Sequence, residues 1–178
     1  MNMNLLLAGF GGQGILFTGK VVAYAGMLDG KEISWLPSYG PEMRGGTANC
    51  SVCVSDSPIG SPLVTAPDVL IAMNLPSLEK FESSVVKNGL IIVDSSIVEE
   101  KVKRKDVKAV YIPATRLAAD NGLKGMANMV MAGRLYKETG FCSDAAFKEG
   151  IKKSVPARKQ ELLEKNLAAV EIGLKSGE

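Results

Sequence analysis

"GFGGQG", residues 9–14, sits between the apolar run "NLLLA" at 4–8 and "ILFTGKVVAYAGML" at 15–28. A short apolar run cut off by glycines reads as a buried strand over 3–8. The largely apolar stretch from Gly14 to Leu28 reads as a helix. The spacing Gly9, Gly11, Gly14 matches the G-x-G-x-x-G pattern, in which glycines permit a sharp turn and let a pyrophosphate approach a helix N-terminus. Two readings of the loop stay open. In one, backbone N–H groups at the helix start hold a phosphate. In the other, Gly9, Gly11, Gly12 and Gly14 only allow the turn and close helix-to-strand packing, with Gln13 bonding the loop backbone.

Working outward, Gly19, Ala23 and Gly26 share one helix face and let another element come close. "EISWL" at 32–36 reads as a second strand, and "TANCSVCVS" at 47–55 as a third. Only the ten turn-rich residues "PSYGPEMRGG" separate these two strands. A parallel crossover needs a dozen or more, so the pair is expected to be antiparallel. A dinucleotide site would also place an acid at the end of the second strand to grip the ribose. That end is "WLPSYG", with no carboxylate. Both departures count against NAD.

After the Pro/Gly-rich segment 56–68, "VLIAM" at 69–73, "LIIVD" at 90–94 and "AVYIPA" at 109–114 read as buried strands. Helices are expected in "NLPSLEKFESSVVKNG", with Pro76 in the first turn and Gly89 as C-cap, and in "TRLAADNG", "GMANMVMAGRLYKETG" and "SDAAFKEGIKKSV". Gly122 and Gly140 close the middle two and Ser143 opens the last. Pro156 precedes a terminal amphipathic helix whose Leu162, Leu163, Leu167 and Val170 are expected to pack on the sheet. The stretch "MANMVM" at 126–131 reads as core. No linker or repeat interrupts this order, which predicts one α/β domain over 1–178. Its form is a single three-layer Rossmann-like domain with a mixed, mostly parallel sheet.

Composition narrows the function. Lys and Arg number 21 against 19 Asp and Glu, so a net charge of +2 argues for no nucleic-acid or acidic-membrane partner. The basic run 101–108 reads as a solvated turn. The first residues carry no basic leader and no apolar run reaches the ~20 residues of a membrane span, so a cytoplasmic location is expected. Cys50 and Cys53 lie three apart in a strand, on opposite faces with Cα atoms ~10 Å apart, which argues against a disulfide or a CxxC metal site. The chain has no histidine, the commonest proton shuttle and metal ligand.

"GFGGQGILFTGK", "WLPSYGPEMRGGTANCSV", "PDVLIAMNLPSLEKF", "IPATRLAADNG", "NMVMAGRLYKETG" and "NLAAVEIGL" follow one another across nearly the whole chain. In that order they resemble the gamma subunit of the 2-oxoacid:ferredoxin oxidoreductases. "SYGPEMRGG" is more similar to the 2-oxoglutarate and branched-chain 2-oxoacid branch than to the pyruvate branch. The resemblance implies a non-catalytic subunit of an enzyme that oxidatively decarboxylates a 2-oxoacid with coenzyme A to an acyl-CoA and passes electrons to ferredoxin. It also implies alpha, beta and, in some members, ferredoxin-like delta partners, which carry thiamine diphosphate, Mg²⁺ and [4Fe–4S] clusters. This chain agrees in having no close run of four cysteines and no recognisable catalytic set.

Two loops are candidates for contact with coenzyme A or a partner. One is the glycine loop, Gly9, Gly11, Gly12, Gln13 and Gly14. The other is "PSYGPEMRGG", where prolines stiffen the backbone and Tyr39, Glu42, Arg44 and Gly45 offer a phenol, a carboxylate, a bidentate cation and an open backbone. An internal Arg44–Glu42 salt bridge is the alternative for the second loop. For the whole chain the competing functions are a free-standing nucleotide-binding dehydrogenase and a scaffold with no ligand.

Overall fold

The computed structural model describes residues 2–40 and 46–176. Six strands form one sheet: β1 (Asn2–Phe10), β2 (Glu32–Tyr39), β3 (Thr47–Ser55), β4 (Val69–Ala72), β5 (Leu90–Asp94) and β6 (Lys108–Ile112). Their order is β2-β3-β1-β4-β5-β6. β1, β4, β5 and β6 run parallel, and β3 is antiparallel to both β1 and β2. The short connection between β2 and β3, residues 40–46, thus joins the antiparallel pair that was expected.

Strand alternation sorts the side chains onto two cores. Leu5, Leu7, Cys50, Val52 and Val54 face the larger one, with Leu6 and Cys53 on the other side of the sheet. Helices α1 (Ile15–Leu28), α3 (Ala114–Asp120), α4 (Ala127–Thr139), α5 (Asp144–Ser154) and α6 (Glu161–Lys175) gather on the larger core. α2 (Leu75–Phe81) and the segments flanking β4 and β5 cover the smaller one.

Local rules explain the ends. The Asn74 side chain accepts a bond from Ser77 N at 2.8 Å and opens α2, with Pro76 in the first turn. Ser143 accepts from Ala146 N at 3.3 Å and opens α5, while Gly140 closes α4 at φ 53. The strands shift from expectation by a few residues. β1 runs on through Gly9 and Phe10, and β2 continues through Pro37 to Tyr39. Pro37 is tolerated because β2 is an edge strand. Gly40 N donates to Thr47 O at 2.8 Å, so alternation turns the donorless Pro37 nitrogen outward, away from β3.

Two expectations are corrected. Gly89 is not the cap of α2, which ends at Phe81 and tightens into a 3-10 turn over Glu82–Ser84. The left-handed residue before β5 is Asn88, at φ 62, and a Cβ on Gly89 would lie 3.0 Å from Asp68 O. The terminal helix α6 packs onto α4 rather than the sheet. It buries Asn166, Ala169, Val170 and Gly173 and leaves Leu162, Leu163 and Leu167 half-buried. Small residues set this crossing: a Cβ on Gly133 would overlap Val170 O, and one on Gly173 would overlap Val130 O. The small stripe of α1 does meet its neighbours, since Gly19 abuts Cys50 and Trp35, and Gly26 abuts Ile33 and Val54.

Candidate functional site

The glycine loop joins the centre of the sheet to α1, and each of its residues has a distinct surrounding. Gly9 is the penultimate residue of β1, where a Cβ would lie 2.6 Å from Gln13 Oε1. Gln13 staples the turn. Its Oε1 accepts from Phe10 N at 2.6 Å, its N donates to Phe10 O at 3.1 Å, and its Nε2 donates to Met73 O at 2.8 Å. That last bond crosses from β1 to the end of β4, the place where an open α/β sheet usually has its ligand crevice. Gly12 and Gly14 adopt left-handed φ values of 101 and 77, which side chains adopt only with strain. Among the described residues nothing lies within 4 Å of a Cβ built on Gly12, so they leave that position open. At Gly14 the Asn128 side chain fills the room instead.

The two candidate loops meet. Gly11 N donates to Gly46 O at 2.8 Å, tying the glycine loop to the chain just before β3. Tyr39, 54% exposed at the end of β2, joins Phe10, Gly12, Ile15 and Phe17 around a cavity of about 240 Å³. A second cavity, of about 300 Å³, is lined by Gly12, Gln13, Met73, Ile97, Thr115 and Lys124. Glu42, Arg44 and Gly45 lie outside the described residues.

The electrostatics of this end favour an anion. α1 starts with no side-chain cap and no acidic residue in its first turn, and the same holds for α4. The first residues of α1 line the smaller cavity and Ala127, the first of α4, lines the larger. Two helix N-termini, each equivalent to roughly half a positive charge, therefore converge on Gly12 and Gly14. The buried carboxylate of Asp94, at the end of β5, is taken up by protein donors behind the larger cavity. It accepts from Thr115 Oγ1 at 2.6 Å and from Ser96 N at 3.1 Å, holding the start of α3.

Sequence reasoning missed Asn128, the second residue of α4. Its Nδ2 donates to Gly14 O at 3.3 Å and to Thr18 Oγ1 at 3.2 Å. A lone amide inside the apolar stretch "MANMVM" was the available signal. The methionines of that stretch at 129 and 131 are fully buried, as core.

The thiols take no part in this site. Cys50 and Cys53 point into different cores, and burial pushes the Cys50 and Cys142 thiols up to about 12 and raises Cys53 as well. Such groups stay protonated at neutral pH and make poor nucleophiles or metal ligands. Among the described residues no cluster of three or more His, Cys, Asp or Glu is arranged to hold a metal ion. No described helix is long and apolar enough to cross a membrane.

Residues 4–176 match the family model described as pyruvate ferredoxin/flavodoxin oxidoreductase. The chain belongs to this family. It is 40% identical over 174 residues to the 2-oxoglutarate synthase subunit KorC of Methanothermobacter thermautotrophicus, covering 94% of this chain and 90% of that one. It is equally identical, 40% over 169 residues and 94% of its length, to the ketoisovalerate oxidoreductase subunit VorA of the same organism. It spans only 35% of VorA, a longer polypeptide. Among solved structures, the gamma subunit of a keto/oxoacid ferredoxin oxidoreductase from Geobacter sulfurreducens superposes with a TM-score of 0.83 at 27% identity, covering 97% of this chain and 96% of that one. A 2-oxoglutarate:ferredoxin oxidoreductase from Magnetococcus marinus, solved with 2-oxoglutarate, coenzyme A and succinyl-CoA bound, superposes at 0.86 and 24% identity. There the match covers 97% of this chain and 30% of that one. The chain is thus a gamma-type member of the 2-oxoacid:ferredoxin oxidoreductases, and a free-standing dehydrogenase is not favoured.

Proposed function

We propose that this chain works as the gamma subunit of an enzyme that oxidatively decarboxylates 2-oxoglutarate or a branched-chain 2-oxoacid with coenzyme A, forming the acyl-CoA and reducing ferredoxin. Equal identity to a 2-oxoglutarate and a ketoisovalerate subunit supports that substrate range. Alpha and beta subunits, with a ferredoxin-like delta subunit where present, supply thiamine diphosphate, Mg²⁺ and [4Fe–4S] clusters. The residues of this chain do not fit a cluster, because its three thiols are buried, protonated and split between two cores.

The role we assign to the chain itself is contact with coenzyme A through the glycine loop. The observation that carries it is the open, left-handed Gly12 at the meeting point of two uncapped helix N-termini. Backbone N–H groups there suit a phosphate oxygen, and exposed Tyr39 and Phe10 offer apolar surface beside it. Glu42, Arg44 and Gly45 belong to the same proposal, because Gly46, next along the chain, is bonded to Gly11. The decarboxylation reading is tested by affinity purification of the native complex through this chain, with acceptor reduction assayed on several 2-oxoacids. Coenzyme A-dependent reduction with 2-oxoglutarate or 3-methyl-2-oxobutanoate is expected. A complex without thiamine-dependent turnover on any 2-oxoacid contradicts it.

A further inference from the structure

We infer that Asn128 is a positioning residue for the glycine loop: its amide fixes the peptide plane that presents the first N–H of α1 to the coenzyme. The inference rests on the proposed coenzyme A contact. Asn128 sits in the first turn of α4 and is 5% exposed, so its polar atoms need protein partners. Its Nδ2 reaches Gly14 O at 3.3 Å and Thr18 Oγ1 at 3.2 Å, and its own backbone O accepts from Thr18 Oγ1 at 3.4 Å. Gly14 O also accepts the first helical bond of α1, from Thr18 N at 3.0 Å. Two donors converging on one carbonyl leave its direction little freedom. Because a peptide is planar, fixing Gly14 O also fixes the N–H of Ile15, which points the opposite way toward the helix entrance.

The contact is steric as well. A Cβ on Gly14 would lie 2.5 Å from Asn128 Nδ2 and 2.6 Å from its Cγ, so the amide occupies the place of a side chain there and packs directly against the left-handed glycine. An apolar side chain of the same shape would fill the space without donating. An aspartate would turn an acceptor toward Gly14 O. Asparagine supplies both the shape and the donor, which is why an amide stands in an otherwise apolar helix face.

The test uses the assembled enzyme with Asn128→Ala and, as a gentler second variant, Thr18→Val, which removes the hydroxyl while keeping its bulk. The reading predicts that KM for coenzyme A rises roughly five- to tenfold in Asn128→Ala, consistent with loss of a net hydrogen bond, and by less in Thr18→Val. KM for the 2-oxoacid and kcat stay near wild type in both. If Asn128→Ala does not assemble, the Thr18→Val shift in KM for coenzyme A decides, and no shift overturns the inference. A lowered melting temperature with unchanged KM for coenzyme A also overturns it and leaves Asn128 as a strut between α1 and α4. Gly12→Asp, measured alongside, separates the two levels. If it raises KM for coenzyme A while both other variants leave it unchanged, only the positioning inference fails. If it too changes nothing, the coenzyme A reading fails with it.

Discussion

Glycines build two very different places in this molecule. At the α4–α6 crossing, Gly133 and Gly173 are small because another backbone occupies the space where their side chains would be. In the loop after β1, Gly12 leaves space that no described residue fills. The first arrangement closes the domain. The second keeps a backbone surface open at a helix entrance. A glycine's neighbours, rather than its spacing in the sequence, therefore separate a packing glycine from an open one.

The comparison can be broken first at the crossing. Gly173→Ala or Gly133→Ala pushes a methyl into a backbone carbonyl of the facing helix, and neither side can move aside without separating α4 from α6. A loss of about 3 kcal/mol or more, at the upper end of overpacking costs, is expected from urea unfolding of the purified chain. A loss below about 1 kcal/mol in both would mean that the helices do not pack this closely.

Gly14→Ala is expected to cost less, about 2 kcal/mol, from left-handed strain together with displacement of Asn128. Gly12→Ala shares the strain but meets nothing, so it should destabilise less than Gly14→Ala under the same urea titration. The reverse order would remove the distinction between a filled and an open loop glycine.

The smallest effect lies in the charged tie beside the crossing. Glu138, on α4, accepts from Lys108 Nζ at 2.6 Å and pairs with Arg134 Nη2 at 2.7 Å, while Arg134 Nη1 donates to Ser176 O at the end of α6. Burial alone would raise its carboxyl, but the Lys108 and Arg134 cations outweigh it and hold the group below its ordinary value. A depressed folded pKa stabilises above the unfolded value of about 4.3 and ceases to do so as pH falls through the folded value. Wild type should therefore exceed Glu138→Gln by about 1 kcal/mol at pH 7, with the gap closing as the pH falls below the unfolded value of about 4.3 and through the lower folded one. A gap that stays constant with pH would contradict the ion-pair assignment.

Much of this architecture is legible in the sequence. Period-two alternation placed Cys50 and Cys53 on opposite faces, and a connection too short for a parallel crossover implied the antiparallel β2–β3 pair, both local consequences of chain geometry. On α6 the sequence reading named Val170 correctly but placed the helix on the sheet and missed Asn166, Ala169 and Gly173, which are buried with it against α4, while Leu163 and Leu167 pack only partly. Close backbone approach selects small residues, and hydrophobicity patterns do not report it. Gly89 misled for a related reason, since a glycine required by crowding looks the same in sequence as one chosen for its φ. In the candidate site, the glycine turn was visible from spacing, and Gln13 bonds the loop backbone as one of the two readings expected. Asn128 was not, because it reaches Gly14 across 114 positions and no local motif announces such a partner.

The central claim is that Gly12 opens onto the phosphate of coenzyme A, and a matched pair of substitutions tests it most directly. Gly12→Asp and Gly12→Asn introduce side chains of nearly equal shape, both among those that best tolerate left-handed backbone, and only one carries a negative charge. Steady-state coenzyme A titration of the assembled enzyme should give a KM raised roughly tenfold or more for Gly12→Asp relative to Gly12→Asn, the size of one unfavourable charge close to a bound anion. The KM for the 2-oxoacid should be the same in both. Equal coenzyme A dependence in the two variants would contradict the claim and leave the glycine loop as a turn that packs α1 against the sheet.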